Sequence, residues 1–425
     1  MKKSRIIFVL LILLLSCMVF TFALAEEKVT LRVLLYTTQP PASMHDELIE
    51  KFEKENPNIS ISVRRVPFGE LYRQTTISVA SDDPPDVFYV DGPMTASYAY
   101  NKILLPLDDY YTEEELKDFL LASIKEGSYN GKLYSVPERQ SAIALFYNKD
   151  YTDAAGIYPP KELENAWTWP EFLEVLKKVT KRDEDGNVQT WGLTQVSKHT
   201  LYSDLTIIRS AGQSKNSLTY KAISDDKTTV SGYLDSPEAK EAFQFLQDLH
   251  QKYKVTPLEQ TPDMFENGMS VFHMSPGHTS GRLEKEFPDL NWGVTPLPYF
   301  NTPITHTGSF HFGVSRKTEH PDEAVQFVKF MTNTENSKYF YEGVLQLPAR
   351  FSVFEQIDRY DDYPLKIFYD SMVEWGEPRP RMPAYREYES LVNDMLKNIN
   401  LGEDVDKALD YTVKKINNIL LRYSR

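Results

Sequence analysis

His273 and His278 lie five residues apart, with Ser275, Pro276 and Gly277 between them. Pro276 and Gly277 break a helix, so no shared helical face presents these two as metal ligands. No metal site is expected there. The chain has no Gly-x-x-x-x-Gly-Lys-Ser/Thr loop to cradle a nucleotide phosphate, no Gly-x-Ser-x-Gly elbow and no His-Glu-x-x-His pair. With 61 acids, some pair will always mimic a hydrolytic dyad, so carboxylate counting decides nothing. What remains is non-covalent recognition. Tyr36, Thr38 and Gln39 follow the carboxyl end of the first predicted strand, where open α/β sheets bind ligands, and Asp91 and Gly92 follow another strand end in the same way. His306, Ser309 and Phe310 flank Gly308, where small residues allow close approach. Trp375, Arg379 and Arg381 put one ring beside two guanidinium groups in a Gly/Pro-rich stretch. Each also has a structural reading: a polar strand cap for the first two places, and a lobe-packing aromatic for Trp375.

The stretch from Gly131 to Asp150 is the most informative. Asn130-Gly131 is a turn dipeptide. Leu133 to Val136 is expected as a short strand that Pro137, lacking an N–H, stops. Ala142 to Tyr147 is an apolar run of buried-strand length. Glu138, Arg139 and Gln140 thus lie between two apolar elements. They form either a solvated loop or a strand crossing between two lobes, with polar groups facing a ligand.

Elements able to position such residues can be read along the chain. A length of 425 residues favours two domains over one core. Val29, Leu31, Val33 and Leu35 alternate as a strand. Ser43 and Asp46 suggest a capping box before a helix with Met44, Leu48 and Phe52 on one face, ended by Asn56-Pro57. Ile59, Ile61 and Val63 form a second strand, and Asp86 to Val90 a third, giving a βαβ pattern. Thr168 with Glu171 forms another capping box. Asp183 to Asn187 reads as a hairpin turn rather than a calcium loop, because Gly186 comes too soon and no Glu stands at the twelfth position. Trp191 is expected in the core. Leu391, Met395 and Ile399, then Val405, Leu409, Ile416 and Leu420, mark two closing amphipathic helices.

The net charge is −14, and removing Lys2, Lys3 and Arg5 with a leader makes it −17. That disfavours nucleic acid and anionic membrane surfaces as partners. Those cations precede an apolar run from Ile6 to Phe22 and a small-x-small site at Ala23-Leu24-Ala25, so residues 1–25 read as a secretory signal peptide. An uncleaved anchor is the alternative for the apolar run. Cys17, the only cysteine, sits in a loose lipoprotein-like box, but the run stays apolar through Phe22, so cleavage after Ala25 is favoured. The mature chain then has no cysteine, disulfide or thiol nucleophile.

Gly-Lys-Leu-Tyr-Ser-Val-Pro (131–137) followed by Leu-Phe-Tyr-Asn-Lys-Asp (145–150) resembles the extracellular solute-binding proteins of ABC importers, of the sugar-binding kind. Further similar segments are Pro-Pro-Asp-Val-Phe (84–88), Trp-Thr-Trp-Pro-Glu-Phe (167–172), Phe265 to His273 and Gly308 to Ser315. The resemblance implies an α/β fold of two lobes, each a mainly parallel sheet flanked by helices, joined by three hinge crossovers. It implies lobes of residues 26–138 with 306–348, and 139–305 with 349–425. It implies a carbohydrate ligand, such as an oligosaccharide, captured by hinge closure without chemical change and passed to permease subunits in the membrane. The chain would be a secreted or periplasmic monomer with no cofactor. Sugars stack their C–H faces on aromatic rings and offer hydroxyls to directional polar groups. On that basis Arg139, Glu138 and Asp91 would bond hydroxyls, and Tyr36 and Trp375 would stack. His306 would be a secondary contact, with Thr38, Gln39, His278, Ser309, Phe310 and Arg379 completing the set. A secreted carbohydrate-active enzyme and a ligand-sensing module for a receptor stay open as alternatives, because fold does not fix function.

Overall fold

A computed structural model describes residues 28–37, 42–195 and 200–423. The leader, Cys17, Thr38, Gln39 and the Ser43 side chain lie outside the described residues. Among the described residues, no helix is long and apolar enough to cross a membrane.

Two five-stranded sheets organise the chain. The strands needed to follow them are β1 (Val29–Thr37), β2 (Ile59–Pro67), β3 (Val87–Asp91), β4 (Ser128–Tyr129), β5 (Lys132–Leu133), β6 (Val136–Arg139), β7 (Ile143–Asn148), β8 (Lys181–Arg182), β9 (Val188–Gln195), β10 (Ser270–Pro276), β11 (Trp292–Thr295), β12 (Thr305–Thr307), β13 (Phe310–Val314) and β14 (Gly376–Pro378). The first sheet has the order β2-β1-β3-β13-β6, and the second β11-β7-β10-β9-β8. A small pair, β12 with β14, lies outside both.

The expected βαβ start is present. β1 pairs parallel with both β2 and β3, and the helix α1 (Ala42–Glu55) connects the first two. Both alternating sets of β1 are buried, Leu31, Val33 and Leu35 on one face and Leu34 on the other, as a sheet covered on both sides requires. The sheets are mixed rather than mainly parallel. β13 returns to the first sheet antiparallel to both β3 and β6, and β7 runs antiparallel to its neighbours β10 and β11. The reason is topological: a strand that re-enters from the other lobe has no crossover helix to turn it parallel.

Pro137 does not end its strand. It lies inside β6, which spans Val136–Arg139 at the edge of the first sheet, where a missing N–H breaks no ladder. Elsewhere local rules hold. Thr168 and Glu171 make a reciprocal capping box. The Asp183 carboxylate accepts from the backbone N–H of Asp185 and Asn187, closing the β8–β9 turn on itself. Trp191 is half-buried on β9, less enclosed than expected.

Three passages of chain run side by side between the sheets. Gln140 donates its N–H to Leu347 O at 2.8 Å, Gly308 donates to Ser141 O at 3.2 Å, and Gly92 donates to Ser309 O at 2.9 Å. A Cβ on Gly308 would stand 3.1 Å from Ser141 Oγ and 3.2 Å from the Tyr202 ring, so a side chain in the middle passage would press on both. The helix α2 (Leu121–Glu126) packs beside these passages, and Lys125 pairs with Glu377 of β14 at 3.1 Å.

Candidate functional site

The carboxyl ends of β1, β2 and β3 face the second lobe across a cleft. β1 delivers Tyr36, whose ring lies 4.9 Å from Phe310, 5.4 Å from Tyr89 and 5.7 Å from Phe68. Arg139 sits behind this aromatic wall. Its guanidinium lies 4.7 Å from the Phe310 ring centre and 5.2 Å from that of Phe340, and it donates to the Tyr36 hydroxyl. Arg139 is only 3 % exposed, so it braces the aromatic wall rather than offering donors to the cleft. Burial raises the Tyr36 hydroxyl above its ordinary pKa, with the nearby Arg139 opposing the rise.

Glu138 is corrected more sharply. It is 2 % exposed, accepts from the Tyr89 hydroxyl and contacts His45 Nε2 at 2.7 Å. Burial alone would push its carboxyl up, but His45, Arg139 and the Tyr89 hydrogen bond together bring it below the usual range. A carboxylate satisfied in this way is a lobe-internal brace. Gln140 is likewise enclosed, bonded to Ser123 Oγ at 2.6 Å.

At the cleft floor a loop after β14 delivers Arg379. Its Nη2 stands 3.6 Å from Asp91 Oδ1 and 3.9 Å from Glu126 Oε1, and its Nη1 stands 3.9 Å from Glu389 Oε1. The guanidinium packs over Tyr202 at 5.3 Å and Tyr385 at 5.9 Å. One cation thus gathers three carboxylates. Burial pushes Asp91 up, with Arg379 opposing, and pushes Glu126 up to about 7. Burial would lower Arg379, but Tyr385 and the three acids hold it above the ordinary guanidinium value. Glu126 Oε1 and Arg379 Nε are buried without hydrogen-bond partners. Unsatisfied buried polar atoms of this kind suit a polar ligand group or water.

The remaining expected residues divide. His278 stands exposed at the start of the helix Thr279–Glu286. Phe310 is half-buried in the aromatic wall. His306 is corrected: it is fully enclosed, its Nε2 accepting from Arg209 at 2.9 Å and its Nδ1 donating to Tyr202 O at 3.1 Å. Burial, then the charges of Arg209 and Arg379, hold it well below the usual imidazole value. Ser309 is corrected too, since it is fully buried and donates to Glu126. Trp375 is 6 % exposed, with Tyr299 edge-on at 6.0 Å, so it packs the second lobe and offers no open face for stacking.

Sequence reasoning missed Phe68 and Tyr72. They are 51 % and 37 % exposed at the cleft, just past the carboxyl end of β2. The strand-end rule that singled out Tyr36 and Asp91 applied to them equally. With Leu71, Met94 and Tyr98 they enclose about 100 Å³ against Asp91, Arg386 and Glu389. Glu126 and Tyr202 had no local signal, because only the fold brings them to Arg379.

Residues 36–338 match the family model of the bacterial extracellular solute-binding proteins. The chain is similar to the melibiose/raffinose/stachyose-binding protein MelE of Bacillus subtilis, 22% identical over 396 residues, covering 88% of each chain. Among solved structures, it superposes on the sugar-binding protein MalE of Xanthomonas citri with a TM-score of 0.78 and 20% identity, covering 93% of this chain and 98% of that one. It also superposes on an ABC substrate-binding protein of Listeria monocytogenes in complex with cycloalternan, with a TM-score of 0.76 and 22% identity, covering 92% and 99%. The family match covers well over half of the chain, so the chain belongs to the bacterial extracellular solute-binding proteins.

Proposed function

We propose that this protein captures a neutral oligosaccharide outside the cytoplasmic membrane and hands it, chemically intact, to the permease of an ABC importer. The observation that carries this reading is the pairing of two unlike cleft walls. The first lobe offers open aromatic faces, Phe68 and Tyr72, beside the half-buried Tyr36 and Phe310. The opposing lobe brings Arg379 and Glu389 to Asp91. Flat rings for C–H faces beside directional charged groups for hydroxyls is the chemistry a sugar demands. The ligands named for MelE and the Listeria protein are of this class.

The lobes are taken as residues 26–138 with 306–348, and 139–305 with 349–425, moving about the three adjacent passages. Ligand bound on the aromatic wall gains contacts from Arg379 and its neighbours only when the lobes close, which is what shifts the population toward the closed form. The protein acts as a monomer, released from its leader into the periplasm or the extracellular space.

Thermal-shift screening against neutral mono- and oligosaccharides tests the reading, because a ligand selective for the folded state raises the melting temperature. The expected result is stabilisation by at least one oligosaccharide that is recovered uncleaved. Stabilisation by peptides or polyamines and by no sugar, or recovery of a cleaved sugar, would overturn it.

A further inference from the structure

Two helices close the chain, Tyr385–Asn400 and Val405–Leu420, and a groove of about 910 Å³ runs between them. This is within the range of about 300–1,000 Å³ typical of small-molecule sites. Its lining includes Arg386 and Glu389, which also line the small cavity behind Phe68 and Tyr72. The groove therefore begins where the cleft ends. Arg386 marks the junction. Its guanidinium lies 6.0 Å from the Tyr72 ring centre and pairs with Glu389 at 2.8 Å. Tyr72 in turn lies parallel to Tyr98, 6.5 Å away. The groove's far wall reaches the first lobe as well, since Tyr423, next to Arg422, meets Tyr100 edge-on at 5.2 Å.

The lining indicates what fits. Arg386, Lys415 and Arg422 are matched by Glu387, Glu389 and Asp394, so the charges cancel. A phosphate, sulfate or polyanionic chain would find no net attraction there, and neither would a polycation. Ser390 and Asn418 add neutral donors and acceptors on the two facing helices, over a floor of Leu391 and Ile419. Hydrogen-bonding groups of both kinds above an apolar floor match a neutral chain with hydroxyl edges and C–H faces.

We infer that the groove between the two closing helices is an outer subsite, which holds the part of a neutral oligosaccharide that extends past Tyr72 out of the cleft. This inference rests on the reading of the cleft as an oligosaccharide site. It adds that the preferred ligand is longer than the cleft alone accommodates, and that chain length is sensed outside it.

The test is calorimetric titration with two length series, melibiose to raffinose to stachyose and maltose to maltohexaose. The proteins are the parent, Asn418→Trp and Ser390→Trp, the last two filling the groove from opposite walls. Both positions are exposed, so unchanged melting temperatures without ligand are expected. In whichever series binds, parent affinity should rise at least tenfold from the shortest binder to the longest. Both Trp variants should remove that rise and leave the shortest binder unchanged. A parent affinity that is flat or falls with length overturns the outer subsite alone, as do Trp variants that keep the full rise or weaken every length equally. Binding of neither series would overturn both the subsite and the oligosaccharide reading of the cleft.

Discussion

Arg379 Nη2 stands 3.6 Å from Asp91 Oδ1, and the two come from opposite walls of the cleft. The same guanidinium stands 3.9 Å from Glu126 Oε1 and 3.9 Å from Glu389 Oε1, and so bridges both to Asp91. Removing it leaves Asp91 and Glu126 without this partner, while Glu389 keeps Arg386 at 2.8 Å. Arg379→Ala should cost about 3–5 kcal/mol, the usual penalty for breaking a buried pair from one side. Small-angle scattering with and without saturating ligand should then show a population that stays open. Arg379→Lys should recover little of this, because a point charge cannot reach three partners as a planar fork does. A variant that closes as the parent does would rule out this role.

Phe68 and Tyr72 are open to solvent, whereas Trp375 is enclosed, so alanine at these positions should separate binding from stability. Phe68→Ala and Tyr72→Ala should each weaken ligand binding by about 1–3 kcal/mol with little change in melting temperature. Trp375→Ala should cost about 3–5 kcal/mol of folding stability through the cavity it leaves. Paired calorimetry and denaturant melts read both effects, and the opposite assignment of losses would invalidate the description of the cleft walls.

Glu126 supplies a pH dependence. Burial pushes its carboxyl up to about 7, whereas a free Glu titrates at about 4.3. Between those values the folded chain keeps a proton that the unfolded chain has released. Its contribution to stability is therefore full at the acid end, declines as pH rises through this window, and stays level above it. Glu126→Gln keeps an oxygen to accept from Ser309 and removes the titration. The variant should gain about 3 kcal/mol relative to the parent between about pH 4.5 and about pH 7.5. Urea midpoints at both ends of that range provide the measurement, and parallel curves for the two proteins would refute the assignment.

The Thr168 capping box offers a control remote from the cleft. Thr168 Oγ1 accepts from the Glu171 N–H, and Glu171 accepts from the Thr168 N–H at 2.7 Å. Thr168→Ala should destabilise the protein by about 1 kcal/mol and leave ligand affinity unchanged. A change in affinity would mean that the second lobe's helices and the cleft are coupled more tightly than their separation suggests.

Features governed by neighbours in sequence were legible from the residues. The alternation of Val29 to Leu35, the capping box at Thr168 and the Asp183 turn each depend on side chains a few positions apart. The strand-end reading placed Tyr36 and Asp91 at the carboxyl ends of their strands, and both lie there in β1 and β3. Features governed by distant neighbours were not legible. Glu138 and His306 carry groups that could serve a ligand, but His45 and Arg209, far away in sequence, already occupy them. Trp375 sits in a Gly/Pro-rich stretch that reads as an open loop, yet β12 and Tyr299 cover it. The antiparallel return of β13 likewise depends on a route through the other lobe that no local pattern records.

That return has a consequence for how the protein is made. β3 pairs with β1 on one edge, but residues 87–91 find the partner for their other edge only at residues 310–314. The first lobe therefore cannot complete its sheet until most of the chain has been synthesised. Long-range pairing of this kind folds slowly, because the loop must close before its contacts repay the lost entropy. For a member of an extracellular family, slowness would be useful: a chain that compacts late can cross a membrane before it folds.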